Sequence, residues 1–259
     1  GDPEVLYIEL ISQVYFDEKK TLKDPTAIIT TVRDALMKYK MSNAVPKFGG
    51  AVKYSKLVGI IDDSDLSVTR NNTSMLMRKD FTVVIDQNTT YEVCFNQQVL
   101  LDKEARVLYS TGFYLEINGD LDPRTFYFEN DPETIRQRSD IDPQLISDIF
   151  CYYYNDFNEK VKVNFYINTV SNLIVVDVPG EDKKIIPFGT LYLNRGEVEL
   201  GYEFSNGIKF VGTERPSNVI QIRAKPYDQD IFAKENVFLE LDVESSDIEA
   251  SVDLKVAKQ

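Results

Sequence analysis

Residues 5–17 read VLYIELISQVYFD, and the alternation within this stretch decides the first element. Leu6, Ile8 and Leu10 stand at every second position against Tyr7 and Glu9, with β-branched and aromatic residues around them. A period of two in such residue types predicts a strand. The charged run Asp17-Glu18-Lys19-Lys20 closes it as a solvated turn. Asp24-Pro25 then marks a helix start, with Asp24 as N-cap and Pro25 at the first helical position, where its missing N–H costs nothing. Ile28, Val32, Ala35, Leu36 and Tyr39 follow on one face of that helix. The pair Gly49-Gly50 lets the chain bend into a second helical stripe, Tyr54, Leu57, Val58 and Ile61, which stops at Asp62-Asp63-Ser64-Asp65. Strands resume over 66–85. Residues 1–88 are therefore expected to form a mixed α/β module.

Beyond Thr89 the period changes to two. Tyr91, Val93 and Phe95 alternate with polar residues, as do Phe113, Leu115 and Ile117, and Val161, Val163, Phe165 and Ile167. Such alternation marks antiparallel sheets with one wet face. One helix is expected to interrupt them near 143–157: Asp142-Pro143 repeats the cap signal, Ile141 and Ile146 can staple it, and Leu145, Ile146, Ile149, Phe150, Tyr153 and Phe157 form its stripe. In the last third, Asn194-Arg195-Gly196 joins Leu191 and Leu193 to Val198 and Leu200 as a hairpin. The 219–224 segment is a further strand. Residues 237–243 are expected to pair with 248–254 across Ser245-Ser246-Asp247. The resulting fold class is α+β: an N-terminal mixed α/β module (1–88), a β-rich module carrying one inserted helix (89–187), and a C-terminal β module (188–259).

Composition narrows the chemistry. The 259 residues hold 29 Lys and Arg against 42 Asp and Glu, a net charge of −13, which argues against a surface for nucleic acid or for anionic lipid. No apolar run is long enough for a membrane helix. There is no histidine. A Ser-His-Asp triad, a His-based metal site and an imidazole switch are ruled out with it. Cys94 and Cys151 read as small core residues, the second on a helical face, and two cysteines make neither a metal cluster nor a disulfide framework. The sequons at Asn71, Asn72 and Asn88 carry no glycosylation message without a signal peptide. The chain opens Gly1-Asp2-Pro3 without an initiator Met and is expected to be a fragment or processed product of something longer.

No motif supplies a reaction. Counted from Asp62, an EF-hand would need Gly and Glu at its sixth and twelfth positions, which are Ser67 and Thr73 here. Phe48-Gly49-Gly50-Ala51 lacks the Gly-Lys-Ser/Thr ending of a phosphate loop, and no Gly-x-Ser-x-Gly elbow occurs. No catalytic, cofactor-binding or metal-binding residue is therefore assigned, and no cofactor is expected. The aromatic supply, 15 Tyr and 15 Phe, says more. Phe126-Tyr127-Phe128 places aromatics on both faces of a strand, and Tyr152-Tyr153-Tyr154 places them around the expected helix. These six residues are the candidate interface, since Tyr and Phe on an outward face anchor protein contacts. Outward aromatics of this kind also predict self-association as a two-fold dimer.

The residues also carry a resemblance. Val32-Arg33-Asp34-Ala35-Leu36, the segment 48–58 (FGGAVKYSKLV) and its continuation 61–73 (IDDSDLSVTRNNT) resemble the central region of baseplate wedge proteins from T-even-like contractile-tailed phages, within the baseplate-J-like group. The hairpin of 189–200, the 219–226 strand ending in Pro226, and Asp230-Ile231 before Asn236 resemble the same group's pattern, whereas 91–186 shows no resemblance. The resemblance implies a virion structural protein without enzymatic activity, placed in the tail baseplate and assembled in the host cytoplasm. It implies a homodimer, and other baseplate wedge proteins as partners, joined in a ring around the tail hub that rearranges on sheath contraction. Two other readings remain open from sequence: a receptor- or glycan-binding tail module, and a hydrolase using paired carboxylates.

Overall fold

The computed structural model describes residues 4–42, 50–201 and 207–258. Among them run 21 strands, three α-helices and three single-turn 3-10 helices, so the chain is mostly β and the α+β expectation is corrected. In chain order the first elements are β1 (Glu4–Phe16), α1 (Pro25–Met41), β2 (Ala51–Val52), α2 (Tyr54–Asp62) and β3 (Val68–Thr82). Next come β4 (Tyr91–Cys94), β5 (Leu108–Ser110), β6 (Phe113–Ile117), β7 (Asp120–Leu121), β8 (Tyr127–Asn130), β9 (Arg136–Gln137), β10 (Leu145–Tyr154) and β11 (Lys160–Val163). β12 (Phe165–Asn168), β13 (Ile174–Val176), β14 (Lys183–Ile186), β15 (Gly189–Tyr192), β16 (Glu197–Leu200), β17 (Ile208–Thr213) and β18 (Val219–Ala224) follow. The chain ends with β19 (Ile231–Phe232), β20 (Val237–Leu241), β21 (Asp247–Val252) and α3 (Leu254–Ala257). Two compact units result: Gly1–Arg78 with Asp228–Gln259, and Lys79–Tyr227. They do not coincide with the segments 1–88, 89–187 and 188–259, because the chain returns at its end to complete the unit it began.

The first unit is organised by β1. Leu6, Ile8, Leu10, Val14 and Phe16 are buried on one face, the alternation read from the sequence. β3 runs antiparallel along one edge, from Tyr7 opposite Arg78 to Phe16 opposite Val68. The other edge takes β20 and then β21, both parallel to β1, from Glu4 opposite Val237 and from Ile11 opposite Asp247. The hairpin expected between 237–243 and 248–254 is thus absent. The 13-residue β1 offers an edge as long as both strands together, and pairing along it satisfies more backbone groups than the two would satisfy with each other. This also corrects the expectation of purely antiparallel pairing after residue 89.

Helix α1 begins where Asp24-Pro25 places it, with the Asp24 carboxylate accepting the Ala27 N–H at 2.8 Å. Its buried residues are Ile28, Val32 and Leu36, and it packs on β21 and α2. Gly49, the first of the glycine pair read as the bend before α2, lies outside the described residues. α2 has no side-chain cap of its own; instead the Tyr54 N–H donates to the Asp230 carboxylate at 3.0 Å, beside the Val52–Ile231 pairing of β2 with β19. Arg78 is buried beside Glu9 and Asp242, at 3.4 and 2.7 Å, with its guanidinium 4.2 Å from the centre of the Tyr7 ring. Burial acts to raise the Asp242 carboxyl, but the Arg78 ion pair and hydrogen bonds from Ser245 outweigh it and hold the group below 3.8.

The second unit is built on β10, which carries β8 and β9 along one edge and β15 and β11 along the other. Its sheet runs β18–β5–β8–β10–β15–β16–β4, with two three-stranded sheets, β17–β6–β7 and β13–β12–β14. Phe113, Phe126, Phe128, Phe188 and Phe210 form the core, with ring centroids 5.3–6.3 Å apart. The helix expected near 143–157 is corrected to strand β10 with a loop after it. Apolar residues at 145, 146, 149, 150 and 153 fit a helical stripe, but they fit equally a strand buried on both faces, and the β-branched and aromatic content favours the latter. Asp142-Pro143 sits in the loop joining β9 to β10, where the Arg138 N–H donates to the Gln144 carbonyl, and Ile141 is exposed rather than stapled. The alternation of 161–167 is divided between β11 and β12, which belong to different sheets.

Two stability outcomes follow from the first unit. Val32→Asp or Leu36→Asp buries a charge on a fully covered helix face and is expected to unfold the unit, seen as loss of its cooperative urea transition. Arg78→Met removes the counter-charge of Glu9 and Asp242 and is expected to cost about 3–5 kcal/mol by urea titration. That loss is expected to shrink as pH falls below 3.8, where the unfolded Asp242 takes up its proton before the folded one, and to lose its Asp242 part once the folded carboxyl is protonated as well.

Candidate interaction surface

Alternation along β10 sends Cys151 to one face and Phe150, Tyr152 and Tyr154 to the other. Cys151 lies opposite Phe128 and Val163, and all three are fully buried. Phe126 and Phe128 are likewise 0% exposed, which corrects their reading as outward anchors: they belong to the phenylalanine core. Tyr153 is half-buried with the Arg124 guanidinium 4.8 Å from its ring centre, and the same guanidinium lies 5.0 Å from that of Phe126. Of the six candidates, Tyr127, Tyr152 and Tyr154 share the opposite face. Tyr152 lies opposite Tyr127, whose ring meets that of Tyr154 edge-on at 5.5 Å. Tyr154 is half exposed.

Charged side chains that sequence reading missed hold this face. Lys160 reaches Glu129 at 2.8 Å and lies 5.3 Å over Tyr152; Lys162 reaches Asp131 at 2.7 Å and lies 3.7 Å over Phe150. Arg106 contacts Glu129 at 3.3 Å and stacks over Tyr109. The Tyr127 hydroxyl donates to the Glu214 carboxylate at 3.0 Å. The paired acids and bases, and Tyr127 with Glu214, lie 23 to 87 residues apart along the chain, so tertiary structure brings them together, and no local motif marks them. The basic side chains are part-exposed, but Glu129 is only 7% exposed, so Lys160 and Arg106 supply the counter-charge of a buried carboxylate while lying over the aromatic rings. Burial, aided by the Glu214 carboxylate, pushes Tyr127 up to about 12. Burial, then Asp131 and Glu129, also raises Tyr152 above the ordinary phenol range, and burial pushes the Cys151 thiol well up, as expected of an inert core residue.

A second feature of the same unit is a cleft of about 460 Å³ lined by Arg138, Ile146, Pro187, Thr190, Tyr192 and Glu199. Tyr192 is only 5% exposed, beneath Arg138 and Arg195, with its hydroxyl on Glu199, so its ring is not offered for stacking on a sugar. Among the described residues no group of three or more Cys, Asp or Glu is placed to hold a metal ion. No helix among them is long and apolar enough to cross a membrane.

A face of fixed aromatic rings rimmed by ion pairs has the chemistry of a protein-binding surface, in a chain that is mostly β. Residues 4–80 match the family model described as baseplate structural protein gp6, C-terminal domain III. The match takes in β1, α1, α2 and nearly all of β3, less than half of the 259-residue chain, and supports a structural role in a phage baseplate. No curated protein matches the chain.

The tyrosine environment sets an alkaline signature. Below pH 10 Tyr127 is protonated in both states; between 10 and about 12 the unfolded chain ionises first, so folded stability is expected to fall across that interval. Tyr127→Phe is expected to lessen this fall in urea titrations, and Glu214→Gln to bring the Tyr127 midpoint back toward 10.0 in ultraviolet titration.

Proposed function

We propose that the chain is a structural subunit of the baseplate wedge of a contractile-tailed phage, without enzymatic activity. It self-associates and links neighbouring wedges into a ring around the tail hub, in the virion, after assembly in the host cytoplasm with other baseplate wedge proteins. The observation that carries this reading is the match of residues 4–80 to a baseplate structural protein, which falls on the β1–β3 frame of the first unit. The motifs at 32–36, 48–58 and 61–73 that resemble wedge proteins lie within the same stretch. Rearrangement on contraction requires contacts that differ in energy between two ring geometries, since equal binding to both shifts nothing.

In this reading Tyr127, Tyr152 and Tyr154 contact a neighbouring baseplate protein. Their rings are held by ion pairs and lose little side-chain freedom on binding. Co-expression with the other tail proteins of the same phage, followed by affinity isolation, tests the role. Stable assembly is expected with the wild type, and reduced capture with Tyr152→Ser combined with Tyr154→Ser, under conditions where circular dichroism shows the variant folded. Absence of assembly with every tail protein overturns the wedge assignment; undiminished capture by the double variant removes the tyrosines from the contact.

A further inference from the structure

Three leucines stand exposed at one end of the first unit. Leu22 and Leu66 are fully exposed and Leu254 is 68% exposed. Short contacts draw their segments together where β1 ends and β3 begins. The Asp17 N–H donates to the Ser67 carbonyl at 2.8 Å, and the Asp253 N–H donates to the Phe16 carbonyl at 2.7 Å. Thr69 Oγ1 donates to the Asp253 carboxylate at 2.6 Å. Lys23, next to Leu22, pairs with Asp65, next to Leu66, at 2.6 Å. Hydrogen bonds from Lys23 and Ser67 hold the Asp65 carboxyl down to about 2, so this tie is intact at neutral pH. These apolar side chains are held out to water on a braced tip, a feature typical of contact sites.

We infer that this leucine tip is where a second copy of the chain docks, around a two-fold axis. The inference rests on the proposed self-association and locates it. Charge decides the occupant. At −13 per chain two copies repel, so self-contact needs a region where the signs complement each other. The tip offers this. Exposed Lys19 and Lys20 lie on the loop that carries Leu22, and exposed Asp62 and Asp63 lie beside the loop that carries Leu66. A two-fold axis between the loops sets the lysines of each copy against the aspartates of the other and lets the projecting leucines of one copy meet those of its partner. Such a contact is isologous and closes on itself. The tyrosine face lacks this feature, because its lysines are already engaged by Glu129 and Asp131.

Light scattering behind size exclusion, with sedimentation equilibrium, tests the tip on the whole chain. The wild type is expected to be a dimer. Leu22→Ser with Leu66→Ser is expected to weaken dimerisation by about tenfold or more while the circular dichroism spectrum of the fold is kept, since both side chains are solvated within one copy; Ile141→Ser, at an exposed position in the second unit, is expected to leave it intact. Lys19→Glu with Lys20→Glu, and separately Asp62→Lys with Asp63→Lys, are each expected to weaken self-association. Mixing those two charge variants is expected to restore a dimer containing one copy of each, since each acidic loop then faces a basic one. A wild-type monomer at all concentrations overturns both self-association and the tip. A wild-type dimer that survives the leucine and charge variants leaves self-association standing and overturns the tip alone.

Discussion

Two filled edges along one long strand are the constraint on which the first unit depends. Every N–H and C=O of β1 in the interior must find a partner, and β3 can serve only one side. The other side is served by β20 and β21 end to end, drawn from the far end of the chain. Because both run parallel to β1, neither connects to it by a tight turn, and a whole second unit lies between them in sequence. The buried Arg78 locks the arrangement from the polar side. It links β1 through Glu9 to the segment after β20 through Asp242, so the strand from each end of the chain is held by one guanidinium. Such a cluster gains little over an apolar equivalent, but it penalises any register that leaves one of its members without a counter-charge.

The second unit repeats the principle with β10, whose two edges are each shared between two strands. Its core closes on five phenylalanines, Phe113, Phe128 and Phe210 from strands of two sheets and Phe126 and Phe188 from the segments just before β8 and β15. Its outer face carries tyrosines beneath lysines. An acidic chain places its cations sparingly, and here Lys160, Lys162 and Arg106 neutralise carboxylates while covering rings. The aromatic area is thereby kept partly shielded from water.

A baseplate role asks for rigid elements and for surfaces whose contacts can be exchanged. The strand pairing and phenylalanine core provide the first, since close-packed interiors transmit strain rather than absorb it. In the reading proposed above, the tyrosine face and the leucine tip provide the second. They use different physics, ion-pair-held aromatics in one case and apolar side chains with opposed loop charges in the other, so they are suited to different partners.

Much of the local structure was legible in the sequence. The alternation of residues 5–16, the Asp24-Pro25 helix start, the 219–224 strand and the Gly196 hairpin are all where short-range patterning puts them, because caps, turns and period depend on neighbours a few residues away. The segment 145–154 was not decidable in this way. A strand buried on both faces shows the same apolar density as a helix, and only β8, β9, β11 and β15 taking its edges made it a strand. The aromatic triplets were visible as a candidate surface, but not which of their members faced outward: strand register sent Phe126 and Phe128 inward and left Tyr127 beside Tyr152 and Tyr154. The sequence by itself determined a histidine-free, acidic chain with the Asp24 helix cap and the Gly196 turn in place. The tertiary structure alone decided that its last strands complete its first sheet, since strand partners are selected by edge length and burial, which act across hundreds of residues.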